Sequence, residues 1–410
     1  MDSVDQVASF AKAKLGSVLK EPRCSFKLIK SRKLVLTACV GLVSVLFILH
    51  LATHMTFGSV SSLFGKSLAP KNQPRLKILV SSYMRSGSTL CGNILQAHPG
   101  VFYVYEPLLY LWDHFVPGKE HYKDLPLRHR TKALWRKSKS VIPPPLNFLS
   151  YMFTCNLTTY NLDFLTNVAH SRAFTESGCV KSDGDTNVMN VTEQCANGIL
   201  ERCKDSDAVV QKVVRLTLRE GGHLLEQDPS VRLVHLVRDP RGVLLSRMRF
   251  NRKTKGEMHK NFSSICHRMT ADVKEVKRIN EKNWGQILTV RYEDLAHDLL
   301  SITSLIYKFV GLEMLPSVKD FLNQMTSRDA QNMHGKIAGK STFRRNPFKT
   351  AYKWRQDLPF SLIQAVDKTC QELYSLLGYV AFHRKDHLRN MRIPAKFHKY
   401  GDGLMIASLQ

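Results

Sequence analysis

The sequence has no C-x-x-C pair, no zinc-finger spacing and no strand of RNP-type aromatics. The first two absences speak against a simple structural zinc site, and the last two against a nucleic-acid module. A G-x-x-x-x-G-K-[ST] loop is missing too. The stretch "HGKIAGKSTF", with Gly335, Gly339, Lys340 and Ser341, has one residue too few between its glycines and no apolar strand before it. No magnesium-binding Asp follows a candidate strand, so an NTP site is not expected. Acidic residues are scarce: 34 Asp+Glu stand against 60 Lys+Arg, a net charge of +26. That balance favours polyanionic partners: nucleic acid, anionic glycans, phosphate- or sulfate-bearing ligands, or acidic lipid. No internal repeat is visible, and only one apolar run is long enough to cross a bilayer.

That run covers residues 34–55, "LVLTACVGLVSVLFILHLATHM", and carries no charged side chain. About 20 apolar residues span a membrane core. Lys27, Lys30, Arg32 and Lys33 precede it, so the N-terminus is expected on the cytosolic side. The expected organisation is a basic cytosolic tail (1–33), a transmembrane signal anchor (34–55), a stem (56–74), a luminal domain (75–385) and a basic C-terminal tail (386–410). Sequons at Asn156, Asn190 and Asn261 fit a luminal domain. Of nine cysteines, the four from Cys155 to Cys203 cluster as expected for disulfides, and Cys91 is expected to be a free thiol on the packed face of a helix.

From residue 76 apolar strands alternate with helical stretches. Strands are expected at 77–80, 101–105, 209–213, 232–237 and 286–292. Helices are expected at 89–97, 221–227, 241–250, 267–282, 299–310 and 362–377. The segment through Cys203 reads as an insertion of loops and short helices. The pattern predicts an α/β fold with a mostly parallel sheet flanked by helices.

In such a sheet, ligands bind beyond the C-terminal strand ends. The first strand runs into "RSGSTL", residues Arg85, Ser86, Gly87, Ser88, Thr89 and Leu90. Glycine admits close approach, the hydroxyls donate, Arg85 is a fixed cation, and a helix beginning near Ser88 offers its N–H groups. This composition suits a phosphate or sulfate. A second strand runs into "RDPRGVLLS", residues Arg238, Asp239, Pro240, Arg241, Gly242, Val243, Leu244, Leu245 and Ser246. Pro240 fits a first helical turn capped by Asp239, and Arg238 and Ser246 can share one phosphate. Two anion sites call for one ligand with two anionic groups.

"RSGSTLCGNIL" resembles the 5′-phosphosulfate loop of sulfotransferases, and "LVRDPRGVLLSRM" resembles their 3′-phosphate motif. With "VFYVYEPL", "VRYEDLA" and "AYKWRQDLPFSLIQAVDKTCQELYSLLGY", the chain from about 76 to 379 is similar to the Golgi carbohydrate 6-O-sulfotransferases. The resemblance implies the P-loop-like sulfotransferase fold behind one N-terminal membrane helix. It implies PAPS (3′-phosphoadenosine 5′-phosphosulfate) as donor, held at residues 85–90 and 238–246, with Arg238 and Ser246 on the 3′-phosphate. It also implies a glycan or proteoglycan acceptor, sulfated on galactose, N-acetylgalactosamine or N-acetylglucosamine, in the Golgi membrane as a single-pass type II protein. No metal and no nucleic acid are expected.

Sulfuryl transfer needs a base and positive charge at the leaving oxygen. Arg85 is expected to supply charge. Glu106, ending the second strand before Pro107, is the favoured base, with a pKa raised by shielding from Tyr105 and Trp112. His98 and His114 are rivals. The loop at 339–355 offers Arg344, Arg345 and Lys353 to an anionic glycan and Trp354 to a sugar face. The rival classes are a nucleotide-dependent phosphotransferase and a non-catalytic glycan-binding membrane protein.

Overall fold

A computed structural model describes residues 74–108, 145–156, 171–176, 193–250, 262–282, 285–326 and 347–397. The expected membrane span, the sequons at Asn190 and Asn261, and Trp112, His114, Arg344 and Arg345 lie outside these residues. Among the described residues no helix is long and apolar enough to cross a membrane.

The described strands form one parallel sheet. They are β1 (Leu76–Ser82), β2 (Val101–Tyr105), β3 (Ala208–Val213), β4 (Val231–Val237) and β5 (Ile287–Arg291), in the order β2-β3-β1-β4-β5. Successive side chains alternate between the faces. Ile78 and Val80 enter one core, and Leu79 enters the other. Both faces are buried, which is why the strands read as near-continuous apolar runs. β1 lies centrally, with β3 and β4 as its two neighbours.

Helix α1 (Ser88–Gln96) follows β1, and α2 (Pro145–Phe153), α3 (Arg172–Glu176) and α4 (Glu193–Lys204) form the expected insertion. α5 (Leu218–Gln227) leads to β4, α6 (Pro240–Phe250) leaves it, and α7 (Phe262–Lys282) precedes β5. α5 begins three residues earlier than periodicity suggests, because Thr217 and Glu220 form a capping box. Beyond β5 come α8 (Tyr292–His297), α9 (Leu299–Val310), α10 (Pro316–Thr326), α11 (Pro347–Ala351), α12 (Trp354–Asp357), α13 (Phe360–Thr369), α14 (Gln371–Leu377) and α15 (Lys385–Arg389). The single helix expected at 362–377 is therefore two. The chain leaves helical geometry at Cys370, which is disulfide-bonded to Cys266 of α7. Cys155 pairs with Cys203, Cys195 is also disulfide-bonded, and Cys91 is the buried free thiol expected on α1. Burial pushes its pKa up to about 12.

Three buried arginines fasten the C-terminal segment. Arg241 pairs with Asp239 and Asp367 and donates to the Val380 carbonyl. Arg291 pairs with Asp294 and donates to the carbonyls of Leu377 and Phe397. Arg355 donates to the carbonyls of His387, Leu388, Asn390 and Ile393. A buried guanidinium has up to five N–H groups to satisfy, and these carbonyls meet much of that demand.

Candidate active site

A cavity of about 420 Å³ opens where β1 and its two neighbours end. Its floor is the turn from β1 into α1. Gly87 caps α1 with φ +94°, no side-chain cap bond and no acidic residue in the first turn. The helix N-terminus therefore keeps its positive end for a ligand. Glycine is required here twice over. The left-handed φ disfavours any Cβ, and a Cβ would lie 2.4 Å from the Tyr292 ring. Arg85, at φ 74°, holds the same sparsely populated region without glycine's freedom.

The second motif meets the first directly. Arg85 Nε donates to Ser246 Oγ at 3.1 Å, and Arg238 Nη1 donates to the Arg85 carbonyl at 3.1 Å. Arg238 lies over the Tyr292 ring at 4.4 Å and donates to Thr350 O at 3.3 Å, while its buried Nε has no partner. Ser86 Oγ is likewise buried and unpartnered. Of these two, Arg238 lines the cavity, and its orphaned Nε beside an uncapped helix end fits an anionic ligand.

On the β3 side stands Glu106, with φ 50°. Lys212 Nζ meets Oε1 at 2.5 Å and Arg215 Nη1 meets Oε2 at 2.5 Å; all three side chains are nearly buried. Lys212 also sits 3.8 Å above the Tyr105 ring. Burial pushes the Glu106 carboxyl up, and the two cations more than reverse it, leaving its pKa below the ordinary value. The raised pKa expected from shielding is thus corrected: the environment that buries Glu106 also pairs it.

Of the residues read from sequence, Arg85, Gly87, Ser88, Thr89, Leu90, Glu106, Arg238, Gly242, Leu245, Ser246 and Lys353 line the cavity. Ser86, Asp239, Pro240, Arg241, Val243 and Leu244 do not. Asp239 caps α6 through the Arg241 N–H, as expected, and its carboxylate holds the Arg241 guanidinium inside the core. Val243 and Leu244 pack in the main core. Trp354 is fully buried 3.9 Å from Arg241, so it meets no sugar. Arg249 is half-exposed on the cavity rim and pairs with Asp357. His98 lies in the turn before β2, at the opposite end of the strand from Glu106, where its Nδ1 accepts from Gly100 N–H. It is removed as a rival base by position alone. Lys212, Arg215 and Tyr292 were missed, although a lysine in the apolar run "VVQKVV" was a readable signal.

The sulfotransferase domain family model matches residues 75–378. The chain belongs to the sulfotransferase family. Carbohydrate sulfotransferase 4 of Mus musculus is 26% identical to this sulfotransferase over 396 residues, covering 89% of this chain and 95% of the relative. Carbohydrate sulfotransferase 5 of Homo sapiens is 28% identical over 360 residues, covering 80% and 84%. Among solved structures, the sulfotransferase domain from the curacin biosynthetic pathway is 18% identical, with TM-score 0.39, covering 73% of this chain and 98% of that one. PAPS, the donor that the resemblance implies, is the co-substrate of this enzyme class.

Proposed function

We propose that this sulfotransferase moves a sulfuryl group from PAPS to a sugar hydroxyl of a glycan or proteoglycan, the 6-OH of galactose, N-acetylgalactosamine or N-acetylglucosamine. The observation that carries the reading is the bonding of Arg85 to both Ser246 and Arg238, which makes one cavity of two anion motifs. The names of the relatives, carbohydrate sulfotransferases 4 and 5, support a sugar acceptor.

PAPS supplies an activated sulfuryl group on a good leaving group. The sheet order gives the chain's own residues two sides on which to work. Arg238 and Ser246 serve the 3′-phosphate on the β4 side. The Gly87 turn and the N-terminus of α1 receive the 5′ end at the centre. Lys212 and Glu106 lie on the β3 side, where the acceptor hydroxyl enters. Its oxygen forms the new bond to sulfur while the bond from sulfur to the 5′-phosphate oxygen breaks. Glu106 takes the hydroxyl proton, and Arg85, Lys212 and the loop N–H groups hold the departing charge. The two cations keep Glu106 ionised at neutral pH, so it is always ready but weakly basic. It therefore accepts the proton as the new bond forms, when the hydroxyl becomes acidic.

We also place the enzyme in the Golgi membrane, as a single-pass type II protein. The basic flank before residues 34–55 and the disulfides support that placement. Radiolabelled PAPS with a panel of desulfated glycans, followed by location of the labelled hydroxyl, tests the activity. Labelling at a ring 2- or 3-OH would overturn the 6-OH assignment, and no labelled glycan at all would overturn the sugar acceptor. Protease protection of intact Golgi vesicles tests the topology; digestion of the catalytic domain without detergent would refute it.

A further inference from the structure

Glu293 is a buried carboxyl with no part in the chemistry above. It stands in the first turn of α8, and both its oxygens are engaged. Oε1 accepts from the Asp239 backbone N–H at 3.1 Å, and Oε2 accepts from the Tyr379 hydroxyl at 3.0 Å. The Asp239 N–H belongs to the turn that aims Arg238 into the cavity. Tyr292, immediately before Glu293, supplies the ring under Arg238. One short helix thus supports the donor motif through both residues.

We propose that Glu293 is a positioning residue for the donor: its carboxyl latches the Arg238–Asp239 turn and couples donor binding to uptake of a proton. The proposal rests on the reading that Arg238 holds the donor's 3′-phosphate. The charged surroundings give the direction. From α6 and its turn, Glu293 faces the Asp239 carboxylate, itself paired with Arg241, and the Arg238 cation. Tyr379 and Tyr352 approach from the C-terminal segment. On its own helix, Asp294 is neutralised by Arg291 and Lys396. Burial, with Asp239 adding to it and Arg238 opposing, lifts the carboxyl to about 7. A phosphate at Arg238 brings further negative charge, so the ionised form should become less favourable still in the complex. Binding then draws in a proton, and affinity falls as pH rises through about 7.

The test is calorimetric titration of the full chain with 3′-phosphoadenosine 5′-phosphate at about pH 6 and about pH 8. The ligand's own phosphate titrates in this range, but equally for every variant, so the ratio of variant to wild-type Kd isolates Glu293. Glu293→Gln should match wild type at the lower pH and bind roughly three- to tenfold more tightly at the higher. Tyr379→Phe removes a donor to the carboxylate and should move the wild-type pH midpoint upward. A Kd ratio independent of pH for Glu293→Gln, or an unmoved midpoint for Tyr379→Phe, overturns the proposal. Undiminished binding by Arg238→Ala would instead overturn the reading of the donor site, so the two failures are distinguishable.

Discussion

Arg238 donates from Nη1 to the backbone carbonyl of Arg85, 153 residues earlier in the chain. The bond ties the end of β4 to the strained turn after β1. Removing it should loosen that turn as well as delete a cation. Arg238→Ala is expected to weaken 3′-phosphoadenosine 5′-phosphate binding roughly 10- to 150-fold, for about 1.5–3 kcal/mol. Titration calorimetry at fixed ionic strength measures it.

Gly87→Ala should damage both fold and donor site. The left-handed backbone costs about 1–3 kcal/mol for a residue with a Cβ. The Tyr292 ring, 2.4 Å from that Cβ, must also move, and it carries Arg238. A lowered Tm together with lost ligand protection is the expected pair of results in a thermal-shift assay. Tyr292→Ala should relieve the clash in the double variant without restoring donor binding.

Glu106→Gln should bind donor and fail to turn over. Normal kcat in this variant would remove Glu106 as the base. Its stability should also depend on pH in a defined direction. The wild-type carboxyl has a folded pKa below its ordinary value, so the stability it contributes is present above that ordinary value. This contribution is lost as pH falls through the folded value. The Tm gap between wild type and Glu106→Gln should therefore be widest near neutrality and close in acid. Arg215→Gln leaves burial less opposed, so the acid limb of its pH–kcat profile should move to higher pH.

The Cys266–Cys370 disulfide spans a sequence separation of 104 residues and joins α7 to the break between α13 and α14. Replacing both cysteines with serine should cost about 2–5 kcal/mol. Chemical denaturation under non-reducing conditions reads this directly, and an unchanged midpoint would deny the bond a stabilising role.

The sheet was legible because its strands are short apolar runs between turn signals. The range expected for β2, 101–105, was observed unchanged. Arg85 and Arg238 were legible because each lies in the short turn between an apolar strand and the helix that follows it. The Glu106 cluster was not. Its partners Lys212 and Arg215 lie over 100 residues away, and only the placement of β3 between β2 and β1 brings them together. Trp354 misled for a related reason. An aromatic in a basic stretch looks like a sugar platform until Arg241 is found stacked against it in the core.

The family match stops at residue 378, but the physical unit does not. The guanidiniums of Arg241, Arg291 and Arg355 draw on carbonyls from Leu377 to Phe397. A truncated enzyme ending at the match boundary would strip Arg355 of its four carbonyl partners and take one carbonyl each from Arg241, beside the donor turn, and Arg291. Whoever trims this protein for crystallisation should keep the last twenty described residues, however dispensable they look in an alignment.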